Sequence, residues 1–110
     1  MERAVFVYTT FPSVVEAEDT GRTLLERGIA ACVNVFPGMI SHYRWQGAIE
    51  RAEEVAMIVK TRASLAENVR AIVKDRHSYS TPAILVIPIE SVEQTYFEWL
   101  LKETEAPDKS

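Results

Sequence analysis

The chain has 110 residues, 47% of them hydrophobic, which predicts one compact domain and excludes a disordered segment. Its formal net charge of −4 provides no basic surface for phosphate backbones, which argues against nucleic acid as a partner. No stretch has the length of a membrane span, no signal peptide precedes the first strand, and the single cysteine cannot form an intrachain disulfide, so we predict a cytoplasmic protein without a membrane partner.

The start of the chain predicts a strand followed by a helix. Residues 4–10 are rich in β-branched and aromatic side chains, which is typical of a strand, and Pro12 ends the pattern. Ser13 and Glu16 have the spacing of a capping box, and the apolar residues that follow recur at helical spacing. Gly28 is a typical end for such a helix.

A long hairpin is predicted next. Residues 28–38 form an apolar run typical of a strand, and residues 39–45 continue it. Gln46 and Gly47 indicate a turn, after which residues 48–61 return as a third strand. These arms are longer than the body of a small sheet requires, so we expect the hairpin to extend beyond the domain and reach a neighbouring chain by edge pairing.

The rest of the chain predicts a helix, a strand and a helix. Residues 64–67 form a second capping box, which opens a helix that ends at the charged residues 74–76. Residues 83–87 are typical of a fourth strand. Residues 91–94 form a third capping box before a short helix with an apolar face.

This order, βαββαβ with an added helix, is that of the α+β ferredoxin-like fold. In that fold an antiparallel four-stranded sheet carries two helices on one face, and both crossovers are right-handed. No linker, repeat or low-complexity tract divides the sequence. We therefore predict one domain over residues 1–105 and a C-terminal tail over residues 106–110.

Both faces of the predicted sheet are apolar. In the first strand Val5 and Val7 point to one side while Phe6 and Tyr8 point to the other, and residues 84–87 are apolar throughout. Two helices cover only one face, and the third helix is too short to cover the other alone. Because a soluble monomer seldom tolerates so large an apolar patch, we predict a homo-oligomer.

The chain resembles the CutA divalent-cation tolerance proteins from Val5 to Leu101. The resemblance is carried by a series of residues in the same order and at the same separations: Thr9-Thr10 with Pro12, Ala30-Ala-Cys-Val-Asn34 with Pro37-Gly38, Ser41, Tyr43, Trp45-Gln-Gly47, Glu54, Lys60-Thr61, His77, Tyr79, Pro82, Tyr96 and Trp99. It implies a homotrimer in which three sheets face one another and the hairpins are exchanged between subunits. It also implies a role in divalent metal tolerance, with weak ion binding rather than catalysis.

Two side chains of the second strand, Cys32 and Asn34, lie on the same face of that strand. Cys32 has two interpretations, a small buried hydrophobe or a ligand for a soft metal. Asn34 either satisfies backbone groups where the strand bends or contributes to a ligand cleft.

His77 follows the second helix, whose C-terminal dipole favours a cation, so it is either a capping or packing residue or a metal ligand. With Cys32 it would suit copper or another divalent cation if the fold brought the two together. The chain departs from the family pattern at three positions that bear on metal binding, with Thr9 and Arg76 where some copper-binding members have Cys and His, and Ala83 where members share a Glu. These departures from the family pattern predict that any metal binding is weak.

The resemblance also suggests a cleft between subunits, lined by Tyr43, Trp45, Lys60, Tyr79 and Trp99. Alternatively the aromatic residues anchor the subunit interface, and Lys60 extends to solvent. If Lys60 binds an anion there, the chain is similar to the trimeric PII-type signalling proteins, which is the second functional hypothesis. The chain has no catalytic triad pattern, no recognisable carboxylate pair and no metal-site spacing, so we predict neither an enzyme nor an organic cofactor.

Overall fold

A computed structural model describes residues 2–105, and the predicted tail 106–110 lies outside the described residues. The elements confirm the predicted order: β1 (Ala4–Phe11), α1 (Val14–Glu26), β2 (Cys32–Trp45), β3 (Ala48–Arg62), α2 (Ala66–Arg76), β4 (Ile84–Pro88) and α3 (Gln94–Glu103). The strands form one antiparallel sheet in the order β2-β3-β1-β4. This is the predicted α+β architecture with its long β2–β3 hairpin.

Of the three predicted capping boxes, the structure contains one. The Ser13 hydroxyl accepts from the Glu16 amide at 3.2 Å and caps α1. The other two predictions are wrong. Ser64 lies in a 3₁₀ turn and gives its hydroxyl to the Glu2 carboxylate, so it caps no helix. In α3 the N-cap is Glu93, whose carboxylate accepts from the Tyr96 amide.

One face of the sheet packs against α1 and α2. Gly21 of α1 approaches the sheet so closely that an added Cβ would lie 2.9 Å from a methyl group of Val33 and 3.2 Å from the Met57 sulfur. The absence of a side chain at Gly21 therefore allows the helix to pack tightly on the strands. The core under these helices is made of aliphatic side chains together with Phe11 and one methionine: Val7, Phe11, Ala17, Leu24, Ile29, Ala30, Val55, Met57, Val59, Val69 and Val73.

The other face of the sheet, which we call the open face, is also apolar, as predicted. Strand register places directly opposite residues on the same face, so this face can be followed across all four strands. Its members are Phe6, Tyr8, Cys32, Asn34, Phe36, Ile58, Lys60, Leu85 and Ile87. Several of them are large and uncovered in the single chain, with Phe36 49%, Leu85 51% and Ile87 44% exposed.

The helix α3 covers only one end of the open face. Arg62, at the end of β3, holds the end of this helix because its guanidinium donates to the Thr104 hydroxyl at 2.9 Å and to the Leu101 carbonyl. Nearby, the Lys60 ammonium lies 5.8 Å from the centre of the Tyr96 ring. The rest of the open face has no cover among residues 2–105. No helix in those residues is long and apolar enough to cross a membrane.

Candidate functional site

A cleft of about 690 Å³ lies between the outer part of the β2–β3 hairpin and the loop that joins α2 to β4. Its walls combine aromatic rings, hydroxyl groups and one carboxylate: Tyr8, Thr10, Ser41, His42, Tyr43, Trp45, Glu54, Ser78, Tyr79, Ser80, Thr81 and Ala83. Tyr8 belongs to the open face, so the cleft is continuous with that surface.

A β-bulge directs the hairpin side chains into the cleft. Phe36 pairs with Ala56 but Met39 pairs with Glu54, so β2 has one more residue than β3 between these pairs. Since side chains alternate along a strand, this extra residue exchanges the two faces of the outer arm. The face that carries Glu54 therefore carries Met39, Ser41, Tyr43 and Trp45. Without the bulge it would carry Ile40, His42 and Arg44.

Gly38 makes the bulge possible because its φ of 82° lies in the left-handed region. An added Cβ meets no atom within 4 Å, so the cost of a substitution there is conformational. We expect Gly38→Ala to lower the free energy of unfolding by about 1 kcal/mol, Gly38→Asn by less and Gly38→Val by more. Urea unfolding at one fixed subunit concentration tests this order, and equal stability of all three variants would contradict it.

His77 fixes the opposite wall of the cleft. Its side chain is fully buried and stacks on Phe11 with ring centres 4.5 Å apart. Because a carbonyl oxygen only accepts, Nε2 donates to the Thr10 oxygen at 2.6 Å, while Nδ1 accepts from the Tyr79 amide at 3.0 Å. Glu16 of α1 holds the next residue, since its carboxylate accepts from the Ser78 amide and hydroxyl, both at 3.0 Å. The loop is thus attached to β1 and to α1.

Tyr79 joins the two walls. Its hydroxyl donates to the Glu54 carboxylate across the cleft at 2.8 Å. Burial of the ring, followed by the hydrogen bond and the negative charge of Glu54, raises the pKa of Tyr79 to about 12. The phenol therefore stays protonated and remains a donor throughout the neutral range.

The raised pKa predicts how the Tyr79 contact depends on pH. Since the folded value of about 12 exceeds the ordinary value of 10.0, the contact contributes fully below pH 10.0 and its contribution is lost as pH rises through about 12. Absorbance titration of the phenols at alkaline pH measures this directly. We expect Tyr79→Phe to remove a phenol that ionises near pH 12, and an unchanged alkaline end of the curve in that variant would contradict the assignment.

The structure brings together some of the residues that the sequence singled out. Tyr43, Trp45 and Tyr79 line the cleft. Lys60 and Trp99 lie outside it, near the α3 end of the open face, where the Lys60 ammonium is 5.7 Å from the Phe6 ring centre. The Trp99 ring is 5.4 Å from that of Tyr96. Cys32 and Asn34 also lie outside the cleft, with the Asn34 amide nitrogen 3.9 Å from the Cys32 sulfur.

The single chain does not bring Cys32 and His77 together. Cys32 pairs with Lys60, which in turn pairs with Phe6, whereas His77 binds at Thr10. Phe6 and Thr10 are four positions apart in β1, which corresponds to about 13 Å along the strand. Both ring nitrogens of His77 are already engaged, so a metal would have to displace one of these bonds. No three histidine, cysteine or carboxylate side chains within residues 2–105 lie close enough to hold one ion.

The three departures from the family pattern have different surroundings. Thr9 is fully buried and its hydroxyl has no hydrogen-bond partner in the described chain. Arg76, at the end of α2, is exposed. Ala83 lines the same cleft as Glu54, so a glutamate at this position would add a second carboxylate to the cleft walls.

Sequence reasoning placed Glu54 within the family pattern but did not assign it to the cleft, and it also missed Tyr8 and the hydroxyl residues of the loop. The alternation of β3 alone does not show which arm of β2 faces Glu54, because the bulge changes that alternation. The Pro37-Gly38 pair was the available signal, since glycine within a strand often indicates a bulge.

Comparison with known proteins agrees with this architecture. The family model described as CutA1 divalent ion tolerance protein matches residues 5–103. The chain belongs to the CutA1 family. A protein of Archaeoglobus fulgidus called divalent-cation tolerance protein CutA is 50% identical over 95 residues, which cover 86% of this chain and 92% of the relative.

Solved CutA structures have the same fold. CutA1 from Ehrlichia chaffeensis matches with a TM-score of 0.90 at 31% identity, and the match covers 94% of this chain and 97% of the Ehrlichia chain. The Archaeoglobus fulgidus structure matches with a TM-score of 0.89 at 46% identity, covers 92% and 98%, and is described as a periplasmic divalent cation tolerance protein. These CutA proteins are named for tolerance rather than for a reaction. Because one of them is described as periplasmic, a cytoplasmic location of the present chain stays a prediction.

Proposed function

We propose that this CutA1 family member acts as a homotrimer in the response to divalent metal ions. The observation that supports self-association is the open face, where Phe36, Leu85 and Ile87 are each 44% or more exposed in the single chain. An apolar layer that reaches across all four strands needs a cover that residues 2–105 do not provide. Identical copies provide one without any additional component, and the CutA resemblance implies three of them.

Weak ion binding fits the side chains of the open face. Cys32 is partly exposed there, and thiolate sulfur binds Zn²⁺, a divalent ion, as well as copper in its Cu(I) state. Because no three potential ligands cluster within residues 2–105, the remaining ligands of an ion at Cys32 would come from neighbouring copies or from water. An ion that keeps water among its ligands and is held by few side chains binds more weakly than one held by a complete set of protein ligands. We therefore propose copper or another divalent cation as a weakly held ligand.

The alternative hypothesis, a PII-like module that holds a small anion in the cleft, gains no support from the cleft walls. They contain neither lysine nor arginine among the described residues. The Lys60 ammonium, which was the proposed anion contact, lies instead near the rings of Phe6 and Tyr96.

Sedimentation equilibrium and calorimetry test the proposal together. We expect a mass of three subunits at micromolar concentration, and saturable heat on addition of copper that Cys32→Ala abolishes. His77→Phe is the matched variant, because it removes both ring nitrogens and retains a stacked ring. Loss of copper binding in that variant alone would transfer the site to His77, and a well-folded single subunit would contradict the trimer.

A further inference from the structure

We propose that the cleft beside the hairpin binds a small organic cation, an ammonium group that carries methyl or methylene substituents. This inference concerns a different ligand from the metal ion at Cys32 and does not depend on it. The cleft volume of about 690 Å³ lies within the range typical of small-molecule sites, about 300–1,000 Å³.

The aromatic content of the cleft supports a cation. Four aromatic side chains line it: Tyr8, Tyr43, Trp45 and Tyr79. The faces of such rings carry negative electrostatic potential, and a cation that lies over them is attracted. Tyr43 and Trp45 are 43% and 48% exposed in the single chain, so the core of their own subunit does not take up these rings. Because the cleft is continuous with the open face, a neighbouring copy in the trimer would border it, and the ligand would bind between subunits. An alkylated ammonium also gives these rings an apolar surface to contact.

Glu54 supplies the charge that an ammonium requires. Among the described residues that line the cleft, it is the only carboxylate, and none is a lysine or an arginine, so the walls have a net negative charge. One oxygen of the Glu54 carboxylate accepts from the Tyr79 hydroxyl, and no side chain of residues 2–105 forms a salt bridge with Glu54. The carboxylate is therefore held in place and retains the capacity to pair with a cation.

Other ligand classes fit these walls less well. A small anion would meet the Glu54 charge without any lysine or arginine to offset it. A divalent metal ion requires several oxygen, nitrogen or sulfur ligands, whereas no group of three histidine, cysteine or carboxylate side chains occurs in residues 2–105. One carboxylate surrounded by aromatic rings instead matches a large cation whose charge is spread over its alkyl groups.

Choline chloride is a suitable probe, and 3,3-dimethylbutan-1-ol is its uncharged counterpart of the same shape. The assembled protein with Trp99→Phe retains Trp45 as the only tryptophan, so its fluorescence reports on the cleft. We expect choline to change this fluorescence in a saturable manner, and the neutral alcohol to bind at least about tenfold more weakly, which corresponds to roughly 1.4 kcal/mol. Equal responses to the two compounds would overturn the proposal.

Charge removal provides the second test. Glu54→Gln keeps an oxygen that accepts from Tyr79 but loses the charge, and we expect it to weaken choline binding about tenfold. Glu67→Gln removes an exposed carboxylate of α2 outside the cleft and is the matched control, with no change expected. Unchanged choline binding in Glu54→Gln, or saturable binding of sodium phosphate at the cleft in place of choline, would overturn the proposal. Loss of copper binding in either variant would concern the proposed metal function and not the proposed binding of an organic cation.

Discussion

Replacing Leu85 by aspartate is expected to convert the assembled protein into single subunits. Leu85 lies on the open face in the edge strand β4, opposite Tyr8 of β1, and is 51% exposed in the single chain. If copies of the chain seal this face, the new carboxylate becomes buried at each contact without a partner. An unpaired buried charge costs on the order of 3 kcal/mol, which lowers the association constant by about a hundredfold per contact.

Val15→Asp is the matched control for this experiment. Val15 is an exposed aliphatic residue, like Leu85, and is 68% exposed, but it belongs to α1 on the opposite side of the sheet. We expect this variant to retain the full mass in sedimentation velocity at micromolar concentration. Dissociation of both variants would indicate a general loss of stability, and an intact trimer in the Leu85→Asp variant would show that the open face is not the subunit interface.

The architecture was predictable because its signals are local. Apolar residues at consecutive positions of β1 and β4 already indicate that both faces of the sheet are apolar, and the strand register confirms it. The capping prediction at residues 91–94 failed because the Glu93 carboxylate caps the helix instead, and the one at residues 64–67 failed because the Ser64 hydroxyl bonds to another group. For Ser64 that group is Glu2, which is 62 positions away in the chain.

The cleft was only partly predictable because it is built from long-range contacts. Tyr79 and Glu54 are 25 positions apart and meet only after the hairpin and the loop have folded against each other. The sequence suggested a metal pair of Cys32 and His77, but strand register places them at different levels of the sheet. The residue types in the sequence identified candidate ligands. Which of them meet in the folded chain depends on the bulge at Gly38 and on the hydrogen bonds that hold His77 to its neighbours.

Replacing His77 by alanine is expected to remove one wall of the cleft and to lower the free energy of unfolding by about 3 kcal/mol, the scale seen when a buried ring is truncated. The substitution leaves a cavity beside Phe11 and leaves the Thr10 carbonyl and the Tyr79 amide without their partner. Tyr79 would then lose the constraint that directs its hydroxyl to Glu54. We expect the phenol near pH 12 to disappear from the alkaline titration of this variant.

The other histidine provides the control, because His42 is exposed in the hairpin and forms no side-chain hydrogen bond within residues 2–105 that would be lost. We expect His42→Ala to unfold in urea within about 0.5 kcal/mol of the parent protein, as is usual for surface positions. Equal stability of His77→Ala and His42→Ala would contradict the assignment of His77 as the residue that fixes this wall.

His77→Phe separates stacking from hydrogen bonding, since it keeps a ring against Phe11 and loses both nitrogens. If the ring alone holds the loop, this variant will retain the alkaline titration of Tyr79. If the two hydrogen bonds hold it, as their distances of 2.6 and 3.0 Å indicate, His77→Phe will behave like His77→Ala in the titration while it recovers much of the stability.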